Sequence, residues 1–408
     1  MQWGACVKHS LVLAALLASA SSVYAADDSQ RQTALEDLGR ALFFDVNLSL
    51  DRTQSCATCH DPARAFTDWR AVVAGGDYGR SGGPSSETSP AAASMGGDMK
   101  SYGDRNAPTI SYAAAIPPFG RNAENDFVGG LFWDGRADTL EAQAGGPPLN
   151  PIEMAMPDRA TVLSRLQENA NYQYAFKGLF GADIFSDADH TYDAMLQSIA
   201  ALERTEFFSP YDSKYDRYLR GEYKPTEQEL LGITLFFSNQ FTNCNKCHQL
   251  QQLPEAQAET FSNYTYHNIG VPVNAALRAI NGKGSDFIDH GLLEHPAVDD
   301  VAQDGKFRVP TLRNVAITAP YMHNGVFNDL RTVMQFYNKY LAKGSKAQIN
   351  PETGKDWGTP EVAANISNEE LEAGRALDAR SIDALLAFMH MLTDKRYEPL
   401  LPAADSAQ

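Results

Sequence analysis

Cys56-Ala57-Thr58-Cys59-His60 recurs in the second half of the chain as Cys244-Asn245-Lys246-Cys247-His248. The spacing lets two thiols add to the two vinyl groups of one haem while the next residue turns its imidazole onto the iron. Redox pairs and zinc sites share Cys-x-x-Cys. Here, however, both matches end in His and together use every cysteine but Cys6, and no further Cys pair or His spacing would complete a tetrahedral zinc site. Two covalently bound haems c are expected.

Working outward from the two motifs exposes an internal repeat. Leu38-Gly39-Arg40-Ala41-Leu42-Phe43-Phe44 precedes the first and Leu231-Gly232-Ile233-Thr234-Leu235-Phe236-Phe237 the second. Downstream, Pro108-Thr109-Ile110 matches Pro310-Thr311-Leu312, and Trp133-Asp134-Gly135 with Leu140 matches His323-Asn324-Gly325 with Leu330. The chain therefore reads as two tandem cytochrome c-like haem domains, 26–208 and 209–408, parted near Ser209-Pro210. Apolar periodicity predicts helices over Thr161–Glu168, Ala194–Leu202, Leu330–Tyr340 and Ser381–Met391, and Gly- and Pro-rich segments join them. The fold class expected is mainly α and loop-rich.

The repeat also bears on iron coordination. The same step from the matched leucines reaches Tyr337 in the second half and Pro147 in the first. A helical Tyr337 could point at a haem held by His248, whereas proline cannot ligate iron. No histidine lies between His60 and His190, so no nearby imidazole closes the first haem. Met95, Met99, Met154 and Met156 stay candidates for the first iron, and Met322 and Met334 for the second. An iron left open is where peroxide or dioxygen binds. Glu153, near Pro147, could move a proton between the peroxide oxygens, and Gln143 could orient the ligand.

The rest of the composition narrows the setting. Lys8, an apolar run from Leu11 to Ala20 and Val23-Tyr24-Ala25 read as a cleaved signal peptide, 1–25, which would carry Cys6 away and place the mature chain in the periplasm. No later run is long enough for a membrane anchor. The 408 residues carry a net charge of −17 with no basic cluster, which argues against nucleic acid. His190, His267, His290, His295, His390, Trp69 and Trp357 carry no motif and are expected to be structural. Gly75 to Gly103 is expected to be a mobile surface loop, and Pro402 to Gln408 a frayed end.

Phe132-Trp133-Asp134-Gly135-Arg136, the segment Gln143 to Glu153, and Pro310-Thr311-Leu312-Arg313-Asn314 running into Ala319-Pro320-Tyr321-Met322-His323-Asn324-Gly325 resemble the bacterial di-haem cytochrome c peroxidase family. Within it, Thr53-Gln54-Ser55, Glu153 to Arg159, Asp212 to Arg217 and Phe336-Tyr337-Asn338-Lys339-Tyr340 resemble its methylamine-utilisation members. The resemblance implies that His60 is the proximal ligand of a five-coordinate haem and that His248 and Tyr337 hold a six-coordinate one. It implies that Trp133 relays charge between them, and that Asn106, Thr318 and Pro320 hold a calcium ion.

It further implies a periplasmic oxidoreductase that draws on hydrogen peroxide or dioxygen and on a small electron-donor protein. Its protein substrate would be oxidised at a distance: the methylamine dehydrogenase precursor, in which two tryptophans become tryptophan tryptophylquinone. The anionic oxygen of Tyr337, where most of the family has methionine, would favour a higher iron valence. One departure stands out: the methylamine-utilisation members have a hopping tryptophan where this chain has Thr242, beside Phe241, so Tyr264 or Tyr266 serves instead or the partner differs. A peroxide-scavenging peroxidase and a non-catalytic di-haem electron carrier are the alternative readings.

Overall fold

The computed structural model describes residues 28–68, 70, 92–250 and 256–402. The expected leader, Trp69, residues 75–91 and residues 403–408 lie outside the described residues.

Five helices organise the chain: α1 (28–43), α2 (Ala188–Glu203), α3 (Glu227–Phe236), α4 (Leu330–Leu341) and α5 (Ala379–Met391). About 43% of the structure is helical. The rest is loop, with three two-stranded antiparallel ribbons, so the fold is mainly helical and loop-rich. Among the described residues no helix is long and apolar enough to cross a membrane.

The helices start where short polar side chains cap them. Asp187 accepts from the His190 amide at 2.8 Å, Asp378 from the Ser381 amide at 2.8 Å, and Thr226 with Glu229 forms a reciprocal capping box. Polar first turns explain why α2 and α5 begin before the expected Ala194 and Ser381. The expected Thr161–Glu168 helix is likewise Arg159–Gln167, opened by Asp158.

Both repeated glycines sit at helix crossings. A Cβ on Gly39 of α1 would lie 1.9 Å from the Ser198 carbonyl oxygen of α2, and one on Gly232 of α3 would lie 2.0 Å from the Ala384 carbonyl oxygen of α5. The Leu-Gly repeat thus marks the same backbone-to-backbone contact in each half. Around it pack Leu38, Leu42, Ile199 and Met195 in the first half, and Leu235, Phe236, Leu385 and Phe388 in the second. Gly39→Ala is expected to cost about 1–3 kcal/mol through overpacking, since the obstacle is rigid backbone. Chemical denaturation checks it, and an unchanged midpoint would contradict this crossing.

In the described part of the Gly/Ser stretch, residues 98–100 are exposed as expected of a surface loop, but its start is not. Ala92 and Ala93 are buried against Leu277, and Gln54 Nε2 donates to the Met95 carbonyl at 2.6 Å. The two halves also interlock: Tyr112 donates to Asp394 at 2.5 Å and Tyr397 to the Pro62 carbonyl at 2.7 Å.

Candidate functional site

Each Cys-x-x-Cys-His segment makes one tight turn. The His60 amide donates to the Cys56 carbonyl at 2.9 Å, and the His248 amide to the Cys244 carbonyl at 2.9 Å. His60 Nδ1 then meets the Phe66 carbonyl at 3.0 Å, and His248 Nδ1 the Phe261 carbonyl at 2.9 Å. A carbonyl only accepts, so Nδ1 carries the proton in both rings and Nε2 remains as the ligating nitrogen. Phe66 and Phe261 both have left-handed backbones, with φ of 57° and 55°. The Pro-Thr repeat fixes them: Thr109 Oγ1 donates to the Ala65 carbonyl at 2.5 Å, and Thr311 Oγ1 to the Thr260 carbonyl at 2.7 Å.

Beside each segment lies a cavity. The first, about 460 Å³, is lined by Cys56, Cys59, His60, Gln143, Pro147 and Glu153; the second, about 200 Å³, by Cys244, Cys247, His248 and Tyr337. The donor set fits haem c: paired thiols, one free imidazole nitrogen and largely apolar walls. Zinc does not fit, because among the described residues no group of three His, Cys, Asp or Glu could hold a metal ion.

The cavities differ where the repeat placed Tyr337 against Pro147. In the second half α4 runs unbroken for twelve residues from Leu330 and carries Tyr337 to the cavity wall. In the first half the matching helix, Leu140–Ala144, ends at Gly145, and after Gly146 the chain makes a short 3-10 turn, Pro147–Leu149. Burial, then the neighbouring thiols of Cys247 and Cys244, pushes the Tyr337 phenol up. Met322 and Met334 line this cavity too. Of the four methionines open for the first iron, Met154 lines the first cavity and Met95, Met99 and Met156 do not; His60 is its one histidine among the described residues.

Glu153 lines the first cavity together with Pro147. Burial raises its carboxyl above the ordinary value, opposed by Arg136 and by a hydrogen bond with Asn150. Trp133 lines both cavities, and its Nε1 donates to the Asn106 carbonyl at 2.9 Å. The Asn106 amide in turn donates to the His323 carbonyl at 2.7 Å, which joins the first half to the turn after Thr318 and Pro320. Asn106 Nδ2 donates to the Ala92 carbonyl at 3.0 Å. Thr318 Oγ1 donates to the Val315 carbonyl at 3.3 Å.

Thr242 is buried, with Oγ1 donating to the Leu235 carbonyl at 2.6 Å, while Phe241 is 43% exposed. Tyr264 and Tyr266 are both buried, so neither offers the surface-facing ring that a hop across an interface would need. His267 lines the second cavity and is held by Thr265 and Ser367. Trp357 packs in the second core as expected.

The site also contains groups that the sequence did not single out. Glu203, at the end of α2, lines the first cavity with its pKa lifted to about 8 by burial, and its Oε2 has no hydrogen-bond partner among the described residues. Arg308 lines both cavities. Neither lies in a spacing pattern; their roles depend on burial, which one sequence does not mark for charged residues.

Residues 33–224 match the family model described as di-haem cytochrome c peroxidase. Over 404 residues, 99% of this chain and 98% of the relative, the sequence is 50% identical to methylamine utilization protein MauG of Paracoccus denitrificans (strain Pd 1222). The chain belongs to the di-haem cytochrome c peroxidase family. It is therefore a haem-dependent oxidoreductase with two haems c. The cytochrome c peroxidase Ccp of Escherichia coli (strain K12) is a more distant member, 30% identical over 87% of this chain and 57% of its own. Among solved structures, the diheme peroxidase BthA from Burkholderia thailandensis E264 superposes with a TM-score of 0.75 at 30% identity, over 92% of this chain and 89% of that one. The helical, loop-rich architecture is thus that of the di-haem peroxidases.

Proposed function

We propose that this chain oxidises a protein substrate at a distance, completing tryptophan tryptophylquinone in the methylamine dehydrogenase precursor. The observation that carries this reading is the asymmetry of the cavities, with Tyr337 on the wall of one and Pro147 at the matching place in the other. The 50% identity to a methylamine utilization protein supports the choice of substrate. The reading has two haem domains, 26–208 and 209–408, exported to the periplasm by residues 1–25 and supplied with electrons by a small donor protein. The haems supply the iron at which peroxide or dioxygen is reduced and from which oxidising equivalents are drawn.

The chain's own residues do the rest. His60 would hold the haem iron on the open side, and His248 and Tyr337 would hold the one on the closed side. Glu153 takes the proton from one peroxide oxygen and returns it to the other, while Gln143 orients the ligand. Trp133, bordering both cavities, relays charge between them. Tyr337 supplies a phenolate donor, which lowers the potential of its site where a methionine thioether would raise it. Asn106, Thr318 and Pro320 would hold a calcium ion, which would stiffen the contact between halves; amide and carbonyl oxygens suit a hard cation.

Glu153→Gln is expected to lower peroxide-dependent turnover about 100- to 10,000-fold, with both haems retained. Glu153 must start as the carboxylate, and its pKa is raised. The wild-type rate should therefore fall as pH drops through a value above the usual glutamate range, and the variant should lack that limb. A pH-rate profile of both proteins checks this; an identical acid limb in the variant contradicts the role.

The reading is tested by adding hydrogen peroxide to the holoprotein with purified methylamine dehydrogenase precursor and following quinone absorbance. Electron paramagnetic resonance should show one high-spin and one low-spin ferric haem, both losing signal with peroxide. Fast turnover with reduced cytochrome c and no quinone would assign the chain to peroxide scavenging. Failure of cyanide and carbon monoxide to bind either haem would assign it to electron carriage.

A further inference from the structure

Arg308 is an anomaly of charge. Its side chain is only 7% exposed, yet it makes no ion pair among the described residues. Buried guanidinium groups ordinarily face a carboxylate, because an uncompensated buried charge costs several kcal/mol. The other deeply buried arginines follow that rule: Arg313 pairs with Asp216, and Arg278 with Glu361. The carboxylate near Arg308, Asp134, is already held by Arg105 at 2.5 Å and Arg136 at 2.8 Å. What Arg308 has instead is weak: its Nε donates to the Phe132 carbonyl at 3.3 Å, its Nη1 to the Val309 carbonyl at 3.5 Å, and its guanidinium carbon lies 5.5 Å from the Tyr264 ring centre.

Its position is as unusual as its isolation. Arg308 lines both cavities, as Trp133 does, and its amide donates to the Trp133 carbonyl at 2.9 Å. Strand pairing with Tyr266 fixes the backbone on the other side. A rigidly mounted, unpaired cation therefore stands at the wall between two sites whose cofactor is anionic only through its carboxylate side arms.

We propose that Arg308 is a positioning residue shared by the two haems, its guanidinium binding carboxylate side arms from both cavities and holding both reduction potentials up. This rests on the di-haem reading. A fixed positive charge beside a haem disfavours the ferric state, which carries one more positive charge than the ferrous, and neutralises carboxylates that would otherwise favour it. Removing the charge lowers the potential on both sides, and the shared contact makes the oxidation state of one site felt at the other.

Arg308→Gln and Arg308→Lys in the full-length holoprotein test this. Mass spectrometry counts attached haems, electron paramagnetic resonance reports axial ligation, and spectroelectrochemical titration gives both potentials. The expected result is two haems with wild-type axial signals in each variant, both potentials lowered in Arg308→Gln, and most of the shift recovered in Arg308→Lys. Unmoved potentials in Arg308→Gln, a shift confined to one haem, or equal shifts in both variants would overturn it. Should Arg308→Gln fail to load haem, a loaded Arg308→Lys with near-wild-type potentials supports the proposal, and an unloaded one overturns it by making the requirement one of shape. A wild-type chain with fewer than two haems would instead overturn the di-haem reading, an outcome distinct from all of these.

Discussion

Tyr337→Met is expected to leave both haems attached and to reduce quinone formation at least about 100-fold, equivalent to about 2.7 kcal/mol of barrier. Tyr337 lies on a helix that nothing interrupts, so the exchange removes a ring and substitutes a flexible chain of similar reach. Haem attachment depends on Cys244, Cys247 and His248, on a separate loop held by Phe261 and Thr311. On the proposed ligation, what changes is the donor: a thioether stabilises the lower iron valence, so the second site would no longer store an oxidising equivalent. The measurement is a single-turnover assay with precursor and peroxide, with spectra recorded in parallel. Full activity in Tyr337→Met would remove Tyr337 as the ligand and return the choice to Met322 or Met334, which share the cavity wall.

The second large effect concerns stability. Asp216→Ala is expected to destabilise the protein by about 3–5 kcal/mol, because it strands the Arg313 guanidinium in the interior. Arg313 is fully buried, bonded to Asp216 by two contacts of 2.9 Å, and lies 4.7 Å from the Tyr112 ring centre and 4.6 Å from that of Tyr211. Tyr112 belongs to the first half and Arg313 to the second, so the pair fastens the interface. Although burial opposes it, the hydrogen bonds and charge of Arg313 hold the Asp216 carboxyl below its ordinary value. A depressed folded-state pKa contributes stability above the unfolded value of about 4 that is lost as pH falls through the folded one. Denaturant titrations between pH 2 and 7 should therefore show wild type and Asp216→Ala converging toward the acid end. A constant difference across that range would mean that the charge pair is not the source of the effect.

The haem attachment segments, the repeat and the Tyr337–Pro147 contrast were legible in the sequence because each is a covalent or local matter. Cys-x-x-Cys-His closes on itself within one turn. Gly145-Gly146-Pro147-Pro148 ends a helix whatever surrounds it. The Leu-Gly and Pro-Thr repeats could be seen but not interpreted, since their partners, the Ser198 and Ala65 carbonyls, lie far along the chain. Helix starts were missed where capped first turns are polar. The expectation that Gly75 to Gly103 is a surface loop fails at Ala92 and Ala93, which are apolar enough to bury wherever the fold offers Leu277. Tyr264 and Tyr266 illustrate the same limit: a sequence gives their redox chemistry but not their depth.

The sequence by itself determined that this chain carries two haem-binding segments, related by repetition and unequal at the matching position, Tyr337 against Pro147, since those properties reside in residue identity and short spacing. Only the tertiary structure decided that Trp133 and Arg308 stand at the wall of both cavities, that Met154 alone among its rivals reaches the first, and that Arg313 meets Asp216 without water. Burial and proximity set the electrostatics of such groups, because the strength of a charge depends on the medium around it. That medium exists only once distant segments have packed together.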